Sequence, residues 1–377
     1  MKILFTGGGT GGHIFPIIAI VREMRRVLPE DEKLELYYIG PKDEISSILL
    51  SQEEIKVKRV LTGKIRRYLG FLAILQNFID VLFKIPLGII QALFHIFFLA
   101  PDLIFSKGGY GSIPAVISGR LLAVPIFLHE SDIVPGIANR FLSRFSLEIF
   151  VSFPVKQTEF FPPEKMISVG NPIRKEILEG SNEEAKKTFK LTGEKPIILL
   201  LGGSQGAQRI NDILLQILPE ILLNFEIIHQ TGLKNFKEVE TEAEAIITEE
   251  LKKYYHPFPF LEEIKISQAY QAADLVVARA GSGSIFEISA AGLPSILIPL
   301  PEAAQNHQVK NAYFYAENEA CLVIEEANLT PHFFFERLKY LFSYPEELEK
   351  MGRKAKEFSK PRAARVIAEY IVEYLTQ

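Results

Sequence analysis

The feature that most constrains this chain is a repeated order of short apolar run, glycine-rich turn and amphipathic stretch. It occurs in "KILFTGGGTGGHIFPIIAIVREM" (2–24) and again in "KPIILLLGGSQGAQRIND" (195–212). Elsewhere, β-branched runs alternate with longer stretches of helical period, which is typical of parallel strands joined by crossover helices. The pattern predicts an α/β protein with two doubly wound domains.

The same pattern predicts the positions of the main elements. We expect strands near residues 2–6, 34–39, 102–106, 125–128, 147–151, 225–229, 274–277 and 294–298. Helices are expected near 14–28, 70–83, 87–99, 112–122 and 136–144. A hinge is predicted near 168–178, where Gly170 and Pro172 interrupt the pattern. The chain has 377 residues, which is enough for about two cores.

Composition narrows the classes of protein to which the chain can belong. A single cysteine, Cys321, excludes a disulfide framework and a cysteine-rich metal site, and is typical of a reducing compartment. The net charge of −4 gives no sign of a nucleic-acid partner. We expect no signal peptide, because only Lys2 precedes the first apolar run as a basic residue and no small-residue cleavage site follows it.

Three glycine-rich turns lie at predicted strand ends: Gly7–Gly12, Gly202–Gly206 and Gly281–Gly283. Ligands of doubly wound sheets bind at the carboxyl ends of the strands, where helix N-termini attract anionic groups. The first turn fits G-x-G-x-x-G, but no acidic residue ends the second strand, so a nicotinamide dinucleotide is disfavoured. The third turn offers helix N–H groups to a diphosphate, and Glu287 could accept hydrogen bonds from ribose hydroxyls. It predicts a sugar nucleotide.

Seven blocks carry a resemblance to a known family. They are "GGGTGGHIFP" (7–16), "SKGGYGS" (106–112), "HESDIVPGIANR" (129–140), "VGNPIR" (169–174), "GGSQGAQRIN" (202–211), "RAGSGSIFEISAAGLP" (279–294) and "QNHQVKNA" (305–312). In this order and spacing, the chain resembles, over nearly its whole length, the undecaprenyldiphospho-muramoylpentapeptide β-N-acetylglucosaminyltransferases of glycosyltransferase family 28. The resemblance implies the GT-B fold, with the active-site cleft between two Rossmann-like domains. The implied N-terminal domain, 1–167 plus 360–377, binds acceptor and membrane, and the C-terminal domain, 168–359, binds the UDP-sugar.

The implied activity is inverting transfer of N-acetylglucosamine from UDP-GlcNAc to the muramic acid 4-hydroxyl of lipid I, which gives lipid II for peptidoglycan synthesis. No cofactor or tightly bound metal is expected, because the sequence contains no Asp-x-Asp at a strand end and no His/Cys cluster. Helix N–H groups, with Arg174, would then stabilise the leaving diphosphate. The implied partners are UDP-GlcNAc, lipid I, an anionic membrane surface at the cytoplasmic face and other cell-wall synthesis proteins, without nucleic acid.

The resemblance also assigns roles to individual residues. His13 is the leading candidate for the base that accepts the acceptor hydroxyl proton, followed by Asp132 and Glu130. The donor-binding positions implied are Thr10, Gly11, Gly12, Asp132, Arg174, Ser204, Leu261, Ser282, Gly283, Ser284, Ile285, Phe286, Glu287 and Gln308. The acceptor-binding positions implied are Gly9, Gly109, Tyr110, His129 and Asn139. One block departs from the family, in which many members read His-Glu-Gln-Asn where this chain has His129-Glu130-Ser131-Asp132.

A basic and apolar segment predicts contact with a membrane surface. Residues 55–100 contain seven basic residues against Asp80 alone, followed by a long apolar stretch. A transmembrane span is disfavoured, because the uncharged run Ile85–Pro101 has 17 residues, fewer than the ~20 that a span usually needs. A basic cluster beside apolar helices suits anionic lipid instead. The predicted contacts are Lys64, Arg66, Arg67, Leu69, Phe71 and Leu75.

Three alternatives remain open from the sequence. The nearest is a related GT-B glycosyltransferase that acts on another lipid acceptor, or a UDP-sugar epimerase with the same fold. A nicotinamide oxidoreductase is a second, and NADH binding would identify it. A catalytically silent scaffold on the inner membrane surface is a third, against which the combination of His13, Glu287 and Gln308 argues.

Overall fold

The computed structural model describes residues 1–9, 11–29, 32–63, 76–154, 160–203 and 206–377. The chain divides into two compact units, Met1–Arg174 with Arg362–Gln377, and Lys175–Pro361. Residues 168–174, expected in the second domain, therefore lie in the first unit, and residues 360 and 361 lie in the second.

The first unit is built on a parallel sheet in the order β3-β2-β1-β4-β5-β6-β7. Its strands are β1 (Lys2–Thr6), β2 (Glu35–Gly40), β3 (Lys56–Arg59), β4 (Leu103–Ser106), β5 (Ile126–Glu130), β6 (Glu148–Val151) and β7 (Met166–Ser168). Its helices are α1 (Gly11–Val27), α2 (Glu44–Gln52), α3 (Gln76–Leu99), α4 (Ile113–Leu121), α5 (Ile137–Leu142) and α14 (Ala363–Thr376). The order reverses direction at β1 and β4, which makes the loops after these two strands the expected ligand-binding edge.

Side chains alternate between the two faces of this sheet along each strand, and helices cover both faces. On one face Ile3 and Phe5 pack in a core with residues of α1 and the C-terminal helix α14, among them Ile367. On the other face Leu4 packs with Ala92 of α3 and with residues of α4. The N-terminal strand is thus held rigidly, and the loop that follows it starts from a fixed point.

The second unit repeats this plan, with a parallel sheet in the order β10-β9-β8-β11-β12-β13. Its strands are β8 (Ile197–Leu201), β9 (Glu226–Gln230), β10 (Tyr255–Phe258), β11 (Leu275–Ala278), β12 (Ser295–Leu297) and β13 (Leu322–Val323). Its helices are α6 (Asn182–Phe189), α7 (Gln208–Ile221), α8 (Phe236–Ile246), α9 (Glu263–Ala272), α10 (Ser282–Ala291), α11 (His307–Glu317), α12 (Pro331–Ser343) and α13 (Pro345–Phe358). Here the order reverses at β8 and β11, so the loops after those strands form the expected ligand edge.

The predicted strands are all present, and the sequence pattern missed the edge strands. β3 reads "KVKR" and exposes most of its side chains, so it lacks the apolar run that identifies a buried strand. β7 and β13 have only three and two residues. Short, exposed strands of this kind are common at sheet edges.

The prediction of two helices, 70–83 and 87–99, was wrong for the described part of this segment. Residues Gln76–Leu99 form one continuous helix, α3, with a π-helical stretch at Asp80–Lys84. The N–H of Ile85 bonds to the carbonyl of Asp80, so the wider turn carries the helix through Pro86, which has no N–H to donate. Among the described residues, α3 alone has the length and apolar composition to cross a membrane. The sequence disfavoured a span because it counted only the uncharged run 85–101, which is shorter than this helix.

Helix α3 is attached to the first unit along one side only. Gly88, Ala92 and Ile96 are buried, and a β-carbon on Gly88 would lie 1.9 Å from the carbonyl oxygen of Leu61. Gln91 accepts a hydrogen bond from the Leu61 N–H at 2.8 Å. The opposite side carries exposed apolar side chains: Phe78, Ile79, Leu82, Phe83, Leu87, Ile90, Phe94, Phe97 and Phe98.

Candidate functional site

Two glycine loops meet at the ligand edge of the first unit. One follows β1 at Gly7–Gly9, and the other follows β4 at Gly108–Gly111. A β-carbon on Gly111 would lie 2.3 Å from the carbonyl oxygen of Gly7, so only glycine allows the two loops to approach this closely. The Tyr38 hydroxyl donates to the carbonyls of Gly7 at 3.0 Å and Gly8 at 3.3 Å. The loops therefore form one fixed surface.

His13 lies in the first turn of α1, between these loops. β-carbons on Gly8 and Gly109 would each lie 2.9 Å from its ring, near Nδ1 and Nε2 respectively. Burial, and then the charge of Lys107, lower the pKa of His13 to about 3. The ring is therefore neutral near pH 7. A neutral imidazole has one acceptor nitrogen, which suits His13 to orienting a hydroxyl.

Glu130 and Asp132 follow on the next strand. Glu130 ends β5, is buried, and accepts hydrogen bonds from the N–H of Asp132 at 3.0 Å and of Gly136 at 3.2 Å. Burial, and then the charge of Asp132, raise the pKa of Glu130 to about 7, against the hydrogen bonds from the Asp132 N–H and the Asn139 side chain and against the charge of Lys107. Asp132 is half-buried in the loop after β5. Two carboxyl groups thus stand at this edge in different surroundings.

The side chains of His129 and Asn139 make internal contacts. His129 is fully buried, and its Nε2 lies 3.3 Å from the carbonyl of Gly170. Burial and Lys107 lower the pKa of His129 well below its usual range. Asn139 donates to Glu130 Oε2 at 2.7 Å and accepts from the N–H of Gly109 at 3.2 Å. Both residues brace the loops around Glu130, so a role in acceptor binding would act through those loops.

The remaining predicted residues of the first unit lie at the same edge. Gly9 and Gly11 are half-buried, and Gly12 is exposed at the start of α1. Tyr110 is half-buried in a short 3-10 turn at Tyr110–Ser112. The Arg174 guanidinium is buried and lies 4.1 Å from the centre of the Phe15 ring, a cation–π contact with α1.

The ligand edge of the second unit begins with the loop after β8. Gly203 and Gly206 have φ angles of 73° and 81°, which glycine adopts without strain. A β-carbon on Gly206 would lie 2.3 Å from the Asn235 side chain, so the loop also packs closely against its neighbour. Leu261, which follows β10, donates its N–H to Gln230 Oε1 at 3.0 Å.

The start of α10 lies at the same edge. Gly281 caps the helix, and β-carbons on Gly281 and Gly283 would meet nothing within 4 Å. The N–H groups of a first helical turn have no partners within the helix, and the helix dipole places positive charge there. Asn311 donates to the carbonyl of Ala280 at 3.3 Å and so fixes the turn that precedes the helix. The site has room and polarity for an anionic group.

Two polar side chains flank this helix start. Glu287 lies half-buried in α10, and Oε2 of its carboxylate accepts a hydrogen bond from the Tyr270 hydroxyl at 3.1 Å. Gln308, in α11, accepts from the N–H of Leu300 at 3.0 Å. The side chains of Ile285 and Phe286 are buried in the core. Only the backbone of these two residues could therefore contact a ligand.

Eight predicted residues lie outside the described part of the chain: Thr10, Ser204, Lys64, Arg66, Arg67, Leu69, Phe71 and Leu75. Of the residues that do appear at the two edges, sequence reasoning missed Tyr38, Lys107, Tyr270 and Asn311. Lys107 and Asn311 stood in the quoted motif blocks but had no role of their own. Tyr38 lies 30 residues after Gly8, and Tyr270 lies 17 residues before Glu287. No local sequence pattern therefore links either tyrosine to the group that it bonds.

The parts that the structure describes contain no group of three His, Cys, Asp or Glu side chains placed to hold a metal ion. Two parallel α/β sheets, each with a glycine loop at its switch point, define the GT-B class of protein. Solved structures agree with this class. The crystal structure of Acinetobacter baumannii MurG matches with a TM-score of 0.72 and 25% identity over 99% of each chain. UDP-GlcNAc 2-epimerase from Neisseria meningitidis shares the fold, with a TM-score of 0.68, 15% identity, and 99% and 100% of the chains covered.

Family models and relatives make the assignment specific. The glycosyltransferase family 28 N-terminal domain matches residues 3–151, and the family 28 C-terminal domain matches residues 197–367. A Clostridium tetani (strain Massachusetts / E88) protein is 35% identical over 100% of this chain and 98% of its own. One from Thermoanaerobacter sp. (strain X514) is 33% identical over 98% and 99%. Both are named UDP-N-acetylglucosamine–N-acetylmuramyl-(pentapeptide) pyrophosphoryl-undecaprenol N-acetylglucosamine transferase. The chain belongs to glycosyltransferase family 28, as its motif blocks predicted.

Proposed function

We propose that the protein transfers N-acetylglucosamine from UDP-GlcNAc to the muramic acid 4-hydroxyl of lipid I, with inversion at the anomeric carbon, and so makes lipid II. The observation that carries this function is the start of α10, where open glycines and helix N–H groups stand one turn before a carboxylate held by Tyr270. A nucleoside diphosphate sugar needs an anion site and a ribose acceptor at this spacing. Full-length relatives named for this transfer support the choice of donor and acceptor.

The donor is held mainly by the second unit. The diphosphate contacts the backbone of Ser282, Gly283 and Ser284, with Ile285 and Phe286 continuing the helix. Glu287 accepts from the ribose hydroxyls. The backbone of Leu261 is assigned to the uracil. Because its N–H already bonds Gln230 Oε1, the carbonyl is the group proposed for this contact. Gln308 contacts the donor sugar, and further donor contacts are assigned to Thr10, Gly11, Gly12, Arg174 and Ser204.

The acceptor is held by the first unit, on the surface formed by the two glycine loops. Gly9, Gly109 and Tyr110 contact the muramoyl group, while His129 and Asn139 fix the loops beneath it. The neutral ring of His13 orients the attacking 4-hydroxyl. The surroundings support a division of labour in which Asp132 accepts the proton, because Glu130 is buried and bonded to several N–H groups.

One bond forms and one bond breaks at the anomeric carbon. The 4-hydroxyl oxygen of the acceptor bonds to the anomeric carbon, its proton passes to the Asp132 carboxylate, and the bond from that carbon to the diphosphate breaks with its electron pair on UDP. The developing charge on UDP is stabilised by the helix N–H groups and by Arg174. Removing one such preorganised donor typically costs about 3–4 kcal/mol of transition-state stabilisation. We expect turnover to need no protein-bound metal.

We further propose that α3 holds the protein on the membrane that contains its lipid acceptor, at the cytoplasmic face. Its exposed side presents clustered aromatic rings, with Phe94 and Phe98 4.7 Å apart and Phe97 and Phe98 5.4 Å apart. The basic edge strand β3 lies beside it, close enough for the charge of Lys58 to help lower the pKa of His95. Because the other side of α3 packs on the protein, this geometry suits a helix lying in the interface rather than crossing the bilayer. Lys64, Arg66, Arg67, Leu69, Phe71 and Leu75 are assigned to the same contact.

The experiment that tests this function is UDP release by the purified protein with UDP-GlcNAc and a short-chain lipid I analogue, with and without chelator. We expect release that requires both substrates and continues with chelator. Release that stops with chelator would overturn the metal-free mechanism. Binding of UDP-GlcNAc without release of UDP would refute lipid I as the acceptor. Conversion of UDP-GlcNAc alone to its 2-epimer would show that the protein is an epimerase and not a transferase.

A further inference from the structure

One buried charge at the ligand edge of the first unit, the ammonium group of Lys107, neither touches a substrate nor moves a proton in the proposed transfer. Lys107 follows β4 directly, and its N–H donates to the carbonyl of Thr6 at 2.8 Å. Its side chain is 3% exposed. A buried ammonium group is costly unless it is hydrogen-bonded and paired with opposite charge, so its partners define what it does.

The ammonium of Lys107 bonds to Ser131, which follows β5 directly and is the middle residue of Glu130-Ser131-Asp132. It donates a short hydrogen bond to the Ser131 hydroxyl. The Ser131 hydroxyl also lies 3.2 Å from Oδ1 of Asn171. On either side of Ser131, Glu130 and Asp132 attract the same ammonium. Lys107 therefore links the loop after β4 to the loop that carries both carboxyl groups.

The charge balance of this cluster depends on Lys107. The titratable groups that face it are His13 from α1, His129 and Glu130 from β5, and Asp132 from the following loop. Burial lowers the pKa of Lys107 to about 8, while both carboxylates oppose that change. As a cation, Lys107 favours ionised carboxylates and neutral histidines in the same small volume.

We propose that Lys107 is a positioning residue of the transfer reaction, which fixes the Glu130-Ser131-Asp132 tripeptide through its bond to Ser131 and so places the Asp132 carboxylate relative to His13. This role rests on the proposed function, because it gives Lys107 its effect through the group that accepts the proton. The linkage runs from β4 through Ser131 to Asp132, so removing the ammonium affects the reaction without removing any group that touches the substrates.

The test is a double-mutant cycle between positions 107 and 132, with Lys107→Met, Asp132→Asn and the double variant, assayed by UDP release. Lys107→Met leaves two carboxyl groups without their cation, and we expect kcat to fall at least 30-fold with little change in the KM for UDP-GlcNAc. We expect the acidic limb of its pH profile to move to higher pH. Lys107→Arg should retain most activity. Lys165→Met is the matched control, because Lys165 is a partly buried lysine of the same unit that bonds a backbone carbonyl, that of Ser146, at 2.9 Å.

The activity of the double variant decides whether Lys107 acts through Asp132. If Lys107 acts through Asp132, adding Lys107→Met to Asp132→Asn costs little further activity, and the double variant is about as active as Asp132→Asn alone. If the two losses simply multiply and the pH profile stays in place, the positioning role is refuted. If the wild-type protein releases no UDP, the proposed function fails instead. The coupling is then read from the pH dependence of the unfolding temperature of the four proteins, where independent effects at the two positions refute the linkage.

Discussion

A β-carbon on Gly109 would lie 2.9 Å from Nε2 of His13, closer than real β-carbons approach other atoms. Gly109 also has a φ of 80°, in a region that side chains disfavour. Two separate constraints therefore require glycine at position 109: its backbone conformation, and the close approach of the loop after β4 to the first turn of α1. The acceptor surface depends on this approach, because the Gly109 N–H is also bonded to Asn139.

Gly109→Ala should therefore impair both activity and stability. With φ 80° and ψ 171°, Gly109 lies in a backbone region that is essentially restricted to glycine and costs about 1–3 kcal/mol for other residues. The contact with His13 forces the loop to move as well. We expect UDP release to fall at least tenfold and the free energy of unfolding to fall by more than this backbone cost. Gly193→Ala is the matched control, since Gly193 has a φ of 69° and its β-carbon would meet nothing within 4 Å. Equal activity of the two variants would contradict the role of the close approach.

Tyr270→Phe should weaken donor binding without unfolding the second unit. The substitution removes the hydroxyl that donates to Glu287 Oε2 at 3.1 Å and leaves the buried ring in place. A hydrogen bond to a charged group contributes on the order of 1.5–3 kcal/mol, so we expect the Kd for UDP to rise at least fivefold. Isothermal titration measures it. Tyr315→Phe is the control, because within the described residues the buried Tyr315 hydroxyl has no hydrogen-bond partner. A similar loss in both variants would mean that the Tyr270 hydroxyl does not orient Glu287.

Much of this fold could be predicted from the sequence, because the central strands are mostly apolar runs and glycine directly follows β1 and β8, the first central strand of each sheet. The edge strand β3 could not be predicted, since three of the four residues in "KVKR" are basic and the segment is a strand because it pairs with β2. The length of α3 was also misjudged, because Pro86 normally interrupts a helix and the π-helical turn before it leaves no local signal.

At the candidate site, the sequence indicated the glycines and the charged residues of the motif blocks but not the groups that fix them. Lys107 bonds a residue 24 positions away, and Tyr38 bonds one 31 positions away. Such contacts follow from the order of strands in the sheet, which brings the loops of β1, β4 and β5 to one edge. The low pKa of His13 has the same origin, because it comes from burial between two loops and from the neighbouring Lys107.

His13→Gln should change how stability depends on pH. The pKa of His13 falls from about 6.5 in the unfolded chain to about 3 in the folded protein, so the unfolded state binds the extra proton. Its contribution is present above pH 6.5 and is lost as the pH falls toward 3. Between pH 6.5 and 4.5 the wild type should lose roughly 2–3 kcal/mol more than the variant. Urea unfolding across this range measures the difference, and the exposed His332→Gln is the control for removing a histidine. Parallel curves for wild type and His13→Gln would contradict the neutral state of the ring between the two loops.

The exposed side of α3 should determine membrane binding. Phe94 and Phe98 are 62% and 68% exposed, so replacing them with glutamate removes apolar contact and adds negative charge without disturbing the core. Burying one such ring contributes roughly 1.5–3 kcal/mol, and the added charges are repelled by anionic lipid, so the double variant should lose at least tenfold in flotation with phosphatidylglycerol vesicles. Leu223→Glu is the control, because Leu223 is 63% exposed in the second unit. UDP release with a water-soluble acceptor analogue should stay normal in all three proteins. If the double variant still floats while charge reversal at Lys64, Arg66 and Arg67 prevents flotation, the membrane contact lies in residues 64–75 and not on α3.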